Sequence, residues 1–131
     1  AGATRIEIIA RDPSRADAAV AAGVDAGAEV TVARLDDAAA GHADLLISTV
    51  PVAAVRDRAA DWVDAVGAVF DVVYDPWPTG LATAAEQRGV PVLSGLDLLA
   101  HQAVLQLEQM AGVAVDVELL RGAARAALAA R

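Results

Sequence analysis

The chain has 131 residues, enough for one domain, and its 56% hydrophobic and 21% charged composition is that of a globular protein with a buried core. It contains no cysteine, which excludes disulfides, thiolate metal sites and cysteine nucleophiles, and its two histidines argue against a histidine metal site. The net charge of −8 argues against nucleic acid as a partner, because no basic stripe is present to neutralise phosphates. No apolar run reaches the ~20 residues of a membrane span, so no membrane partner is expected.

Apolar segments alternate with helical patterns along the chain. We predict strands at residues 4–10, 28–33, 43–50, 67–74 and 90–93, and helices at residues 13–22, 51–63, 81–88, 96–110 and 116–130. Asp12 and Pro13 mark the first helix start, as an N-cap followed by proline at the first helical position, and Gly23 is its expected C-cap. The apolar third strand is typical of burial on both faces. Together these elements predict a parallel α/β sheet, in which ligands bind beyond the carboxyl ends of the strands.

The fourth strand is followed by a stiff segment. The sequence VFDVVYDPWPTGL predicts a strand that ends at Tyr74, followed by Pro76 and Pro78 on either side of Trp77. Proline fixes φ, so this exit is more rigid than a simple turn requires. We therefore expect Tyr74 to be held in position at the edge of the sheet where ligands bind.

Two arginines flank the start of the first predicted helix. Arg11 and Arg15 come directly after a strand, where free backbone N–H groups and the helix dipole favour phosphate binding. The alternative is that Asp12 caps the helix and both arginines are only solvated. A glycine-rich G-x-G-x-x-G turn should precede this strand in a dinucleotide fold, and it is not in the sequence, so the first βα unit is expected to be missing.

A glutamine lies within an apolar helical pattern. In SGLDLLAHQA, Gln102 shares a predicted helix face with Leu98 and Leu105, which indicates burial. An unpaired buried amide costs about 1–3 kcal/mol, so either the backbone or a polar ligand should satisfy it. His101 follows Asp97 by four residues, and we expect an exposed pair between them.

These segments together resemble the shikimate dehydrogenase family. DVVYDPWPTGL is similar to the family's D-x-x-Y-x-P-x-x-T-P-L segment, and GLDLLAHQA is similar to its G-L-x-M-L-x-x-Q-A helix. ARDPSRA lies where the family has N-R-T-x-x-R-A, and ADLLISTVP lies where A-D-L-x-x-N-A-T-P is usual. The resemblance runs in order through essentially the whole chain.

The resemblance implies a Rossmann-type parallel sheet flanked by helices, lacking its first βα unit. The family reduces 3-dehydroshikimate to shikimate with NADPH in cytoplasmic aromatic amino-acid biosynthesis, using an N-terminal substrate domain and a C-terminal cofactor domain. Residues 1–131 would then be the NADP-binding domain of an actinobacterial-type enzyme, N-terminally truncated and without its substrate domain.

The resemblance also implies roles for individual residues. Tyr74 and Gln102 match positions that hydrogen-bond the hydroxyls or carboxylate side of the substrate. Gly95 matches a glycine whose backbone meets the nicotinamide amide, and Leu98 stands where a methionine packs on the nicotinamide. Arg11 matches the arginine that binds the 2′-phosphate of NADP.

The cofactor motifs depart from the family at several positions. Arg15 follows the family pattern, but Ser48 stands where the third strand usually has asparagine. Ala10 replaces asparagine and Asp12 replaces threonine, which removes two hydrogen-bonding groups near the phosphate. Gly80 replaces a proline.

The catalytic residues of the family are not in this chain. The family uses a lysine and an aspartate of its N-terminal domain, and this sequence contains no lysine, so no catalytic residue is assigned and the piece alone is expected to be inactive. Because the absent strand would be central, the piece either belongs to a larger chain or forms a homodimer with a second copy. Two alternatives stay open: an NAD-dependent quinate/shikimate dehydrogenase, favoured by Asp12, and a non-catalytic Rossmann-like binding module.

Overall fold

A computed structural model describes residues 2–39 and 41–130, apart from the side chain of Arg56. The chain divides into two compact units, with the boundary after Ala39. The described strands are Arg5–Ala10 (β1), Glu29–Arg34 (β2), Leu46–Ser48 (β3), Val69–Asp71 (β4) and Val92–Ser94 (β5). The described α-helices are Asp17–Asp25 (α1), Ala59–Val63 (α2), Gly80–Arg88 (α3), Gly95–Ala111 (α4) and Val117–Ala129 (α5). Strands paired in parallel and flanked by helices confirm the predicted α/β class.

The first unit is a β1–α1–β2 crossover. β1 and β2 pair in parallel, from Arg5 opposite Glu29 to Ala10 opposite Arg34. Asp12 caps the segment after β1 as predicted, because its Oδ1 accepts hydrogen bonds from the backbone N–H and the hydroxyl of Ser14, at 3.1 and 2.7 Å. This segment first forms a 3₁₀ turn over Pro13–Arg15, and the α-helix begins only at Asp17.

Gly23 is not the helix C-cap that the sequence predicts. α1 continues to Asp25, and the glycine with positive φ is Gly27, at +84°. Gly23 instead lies where the helix packs on the strands, and an added Cβ would be 2.7 Å from Cγ2 of Val30 and 3.5 Å from Cδ1 of Ile6. The glycine therefore permits close helix–strand packing.

The second unit contains a three-stranded parallel sheet in the order β3–β4–β5. Leu46, Val69 and Val92 form one row across the sheet, on the face that α2 and α3 cover. The core on this face contains buried side chains from α2, β4 and α3: Ala59, Val63, Val69, Leu81, Ala84 and Ala85. Because side chains alternate along a strand, the row one residue further along faces the other way.

The opposite face of this sheet is apolar and largely open to solvent. Ile47, Phe70 and Leu93 form its row, and Ile47 and Leu93 are 55% and 54% exposed. The predicted burial of the third strand on both faces is therefore wrong for this chain. The apolar segment 43–50 does contain a strand, but β3 covers only Leu46–Ser48, and Ile47 on its second face is exposed.

Two further boundaries differ from the sequence prediction. The helix predicted at 51–63 consists of two 3₁₀ turns, Val52–Ala54 and Arg56–Arg58, followed by the short α2. The fourth strand ends at Asp71 and not at Tyr74. The remaining helices agree closely with prediction: α3 is capped by Thr79, α4 by Ser94 and α5 by Asp116.

None of the helices in the described part of the chain is both long and apolar enough to cross a membrane.

Candidate functional site

The segment between β4 and α3, residues 72–79, is here called the exit loop. It is attached at both ends to Asp71, which is only 2% exposed. The Asp71 carboxylate accepts from the Val73 backbone N–H at 3.2 Å and from the Thr79 hydroxyl at 2.7 Å. Thr79 also caps α3, because its Oγ1 accepts from the Ala82 N–H at 3.0 Å. The stiffness expected from the two prolines is thus reinforced by hydrogen bonds that the sequence did not reveal.

Gly95 allows the first turn of α4 to approach the exit loop. A Cβ at this position would lie 1.9 Å from the carbonyl oxygen of Val72 and 3.3 Å from Cδ1 of Tyr74. Contacts that short to a backbone atom are incompatible with any side chain, so the position requires glycine. The close approach places the Tyr74 ring next to Gly95.

Tyr74 and Trp77 both expose part of their rings, 39% each. They line an open pocket of about 560 Å³ together with Asp75 of the exit loop and residues of α3, β5, α4 and α5: Glu86, Val92, Ser94, Leu96, Asp97, Arg125, Leu128 and Ala129. Three of these side chains are acidic and one is basic. The pocket by itself therefore suits hydroxyl groups better than a carboxylate.

Asp97 joins the start of α4 to α5. It forms a capping box with Ser94, in which Oδ2 accepts from the Ser94 N–H at 2.9 Å and from its hydroxyl at 2.8 Å, while the Asp97 N–H donates to Ser94 Oγ at 3.2 Å. Nε of Arg121 lies 2.8 Å from Oδ1, as an ion pair without hydrogen-bond geometry. The expected pair with His101 is thus replaced by partners in Ser94 and α5.

The pKa of Asp97 is lowered in the folded protein. Partial burial acts to raise it, but the hydrogen bonds from the Ser94 backbone and hydroxyl, with the charges of Arg121 and Arg125, outweigh the burial. The carboxylate is therefore ionised at neutral pH.

Gln102 is exposed on α4, about two turns beyond Gly95. Its predicted burial on a core face is wrong, since its neighbours on that face, Leu98 and Leu105, are 38% and 57% exposed. The amide is therefore accessible to a ligand and does not require a partner within the chain. Leu98 lines a smaller hollow of about 270 Å³ with Phe70, Leu93, Ser94, Asp97 and His101.

Ser48 ends β3 and lies in a polar row at the carboxyl ends of the strands, opposite Asp71, which is itself opposite Ser94. It is 6% exposed, and its hydroxyl has no hydrogen-bond partner among the described residues. A buried hydroxyl without a partner is unfavourable, so this position is suited to a polar group of a ligand.

In the first unit, Arg11 follows β1 directly and Arg15 ends the 3₁₀ turn; both are exposed. No ion pair is recorded for either within the described ranges, so their guanidinium groups are available to an anion. A third arginine, Arg34, ends β2 opposite Ala10, and its Nε lies 3.8 Å from Oδ2 of Asp37.

No protein-family model matches the chain. A curated relative, shikimate dehydrogenase (NADP(+)) of Symbiobacterium thermophilum, is 34% identical over 95% of this chain and 43% of its own length. The crystal structure of Mycobacterium tuberculosis shikimate dehydrogenase superposes with a TM-score of 0.79 at 36% identity, over 95% of this chain and 48% of that one.

A shikimate 5-dehydrogenase from Mycobacterium fortuitum superposes with a TM-score of 0.80 at 37% identity, over 93% of this chain and 47% of that one. The chain thus spans less than half the length of these proteins. Over nearly all of its own length, in sequence and in fold, the chain is a homologue of the shikimate dehydrogenases.

Proposed function

We propose that residues 1–131 are the cofactor-binding domain of a shikimate dehydrogenase that reduces 3-dehydroshikimate to shikimate with NADPH in the cytoplasm. The observation that carries this proposal is the 34–37% identity along nearly the whole chain to proteins of that name, one of them named for NADP(+). Since the chain spans less than half of those proteins, the proposal includes a substrate domain supplied by the rest of a longer protein.

The first unit is proposed to bind the phosphate end of the cofactor. Arg11 precedes the 3₁₀ turn and Arg15 ends it, and both side chains are exposed. The backbone N–H groups of Ser14, Arg15 and Ala16 already donate to Asp12 and Pro13, so the free N–H groups expected from the sequence are not available and the two guanidinium groups carry the proposed contact. Their chemistry fits the 2′-phosphate that distinguishes NADP from NAD. Asp12 lies between them and its carboxylate accepts from Ser14. Because two guanidinium groups stand beside this one carboxylate, the local charge is positive.

The second unit is proposed to bind the nicotinamide end. Ser48 offers a buried hydroxyl that has no hydrogen-bond partner in the described part of the chain. Gly95 offers backbone without a side chain, and Leu98 offers a partly exposed apolar surface. When bound, the nicotinamide supplies the hydride. The chain's own residues bind and orient the reactants.

Tyr74 and Gln102 are proposed to bind hydroxyl groups of the substrate. Both side chains are exposed, and the acidic pocket beside Tyr74 favours hydroxyls over the substrate's carboxylate. The carboxylate and the proton transfer are assigned to the substrate domain, since this chain contains no lysine. The isolated chain should therefore be inactive, because a positioned acid or base contributes typically about 10²–10⁴-fold.

The cofactor assignment is tested by Arg11→Ala in the longer protein. A charge-assisted contact to phosphate contributes about 1.5–3 kcal/mol, so we expect the affinity for NADP to fall about tenfold or more while that for NAD changes little. Isothermal titration with both cofactors measures this. Arg5→Ala, an exposed arginine at the other end of β1, is the matched control.

Equal losses for NADP and NAD would show that Arg11 does not bind the 2′-phosphate. The alternative of an NAD-dependent quinate/shikimate dehydrogenase rests on Asp12, which places a negative charge beside Arg11. Tighter binding of NAD than of NADP by the unmutated protein would favour that alternative over the NADP-dependent enzyme.

A further inference from the structure

Each end of the exit loop donates one hydrogen bond to the same buried carboxylate, that of Asp71. Asp71 is 2% exposed and Thr79 is 2% exposed, so both groups are removed from solvent. Oδ1 accepts from the second residue beyond the strand, Val73, and Oδ2 accepts from the last residue before α3, Thr79. The carboxylate therefore joins the beginning of the loop to its end, across a span that contains Tyr74 and Trp77.

A buried carboxylate is costly unless it is hydrogen-bonded, so a strand end that only needed to turn would not require one. We propose that Asp71 is a positioning residue for Tyr74: by joining the two ends of the exit loop, it determines where the tyrosine hydroxyl lies. Thr79 is the second half of this connection, because it donates to Asp71 and accepts from Ala82 at the same time.

Two neighbouring contacts limit the movement of the same loop. The Val72 N–H donates to the Ser48 carbonyl oxygen at 3.0 Å, which extends the pairing of β3 and β4 by one residue. The backbone of Gly95 approaches the Val72 carbonyl so closely that no Cβ fits between them. These contacts hold the first residue of the loop, and the Asp71–Thr79 bond joins its far end to the strand.

The inference rests on the proposed function only in that Tyr74 is taken to bind the substrate. The order of the loop itself can be measured without substrate, in the 131-residue chain. Failure of the loop measurement and failure of the proposed function are therefore separate results.

The test measures ¹⁵N relaxation of the Tyr74 and Trp77 backbone amides in four variants. Asp71→Asn keeps the shape of the side chain but can accept only one of the two hydrogen bonds, because its amide nitrogen is a donor. Thr79→Val removes the hydroxyl and keeps the volume, and Thr79→Ser restores the hydroxyl. Asp64→Asn removes the exposed partner of Arg88 and controls for an Asp-to-Asn change elsewhere in the same unit.

We expect order parameters of about 0.85 at both amides in the unmutated chain, Thr79→Ser and Asp64→Asn, and below about 0.6 in Asp71→Asn and Thr79→Val. Rigid amides in folded Asp71→Asn and Thr79→Val, with only a lower Tm, would overturn the inference. So would failure of Thr79→Ser to restore order, since packing of the threonine methyl would then be responsible. If Asp71→Asn does not fold, the two Thr79 variants decide the matter.

The consequence for the reaction is measured in the longer protein. Asp71→Asn is expected to lower kcat/KM for shikimate roughly twofold to tenfold, as loss of the Tyr74 hydrogen bond to a substrate hydroxyl should, while KM for NADP stays unchanged. The double variant Asp71→Asn/Tyr74→Phe should have a kcat/KM only slightly lower than that of either single variant. A mobile loop with unchanged kcat/KM would uphold the role of Asp71 in the loop and contradict the substrate role of Tyr74.

Discussion

Tyr74 lies three residues beyond the last residue of β4, on a loop whose two ends are held by Asp71. The sequence pattern indicated a strand that ends on the tyrosine, because VFDVVY is apolar except for one aspartate. That aspartate is the strand end and the main polar anchor. The sequence pattern does not show that the Asp71 carboxylate is buried, because its partner Thr79 lies eight residues further along the chain.

The role of the tyrosine hydroxyl is tested by Tyr74→Phe in the longer protein. A hydrogen bond to a neutral substrate hydroxyl contributes about 0.5–1.5 kcal/mol, so kcat/KM should fall roughly twofold to tenfold. Affinity for the cofactor should not change. Gln102→Ala should behave likewise, and the double variant should be less than additive if both groups orient one ligand.

A purely structural tyrosine gives the opposite pattern: a lower Tm with unchanged kcat/KM in the folded variant. Thermal unfolding and steady-state kinetics on the same samples separate the two. For Gln102, the exposure of its side chain already predicts little loss of stability on truncation.

At the scale of elements, α4 begins directly after β5, with Ser94 serving as both the last strand residue and the N-cap. This junction brings Gly95 against Val72. Gly95→Ala would place a methyl group 1.9 Å from a backbone oxygen, so the helix or the loop must move. We expect a loss of about 1–3 kcal/mol in the free energy of unfolding, as for overpacked sites.

Gly122→Ala is the matched control for that change. Gly122 lies within α5, and an added Cβ there meets no atom within 4 Å. The substitution should increase stability by about 0.5–1 kcal/mol, because alanine is the better helix former. Denaturant unfolding of both variants gives the comparison, and equal effects of the two substitutions would contradict the close approach at Gly95.

The capping box predicts a pH dependence of stability. Because the pKa of Asp97 is lower in the folded state, the ionised carboxylate stabilises the fold at pH values above its unfolded pKa, and this stabilisation is lost as the pH falls through its folded pKa. Asp97→Asn should therefore destabilise the chain at neutral pH and much less in acid. Urea unfolding at both pH values measures the difference; a constant difference would mean that the charge of Asp97 is unimportant.

At the scale of the whole molecule, the α/β class and most elements were predictable from the sequence, because alternation of strand and helix patterns depends on local apolar spacing. Gly23 and Gln102 were misread, since helix–strand packing and solvent exposure depend on which elements lie opposite, and no local pattern contains that information. The exposed face around Ile47 and Leu93 was unpredictable for the same reason. An apolar strand pattern indicates that both faces can be buried, but it does not say which element covers each face.

The roles of the individual site residues remain predictions. The cofactor is assigned to Arg11, Arg15, Ser48, Gly95 and Leu98, and the substrate to Tyr74 and Gln102. The similarity to shikimate dehydrogenases extends over nearly the whole chain but over less than half the length of each relative. In our proposal, the reduction of 3-dehydroshikimate is therefore carried out by a longer protein.

The most direct measurement is shikimate-dependent reduction of NADP⁺, followed by NADPH absorbance, in the longer protein and in the 131-residue chain. The account predicts turnover with NADP⁺ in the longer protein, slower turnover with NAD⁺, and none with the chain alone. No shikimate-dependent reduction of either cofactor by the longer protein would contradict the proposed function, and turnover by the chain alone would contradict the assignment of catalysis to another domain.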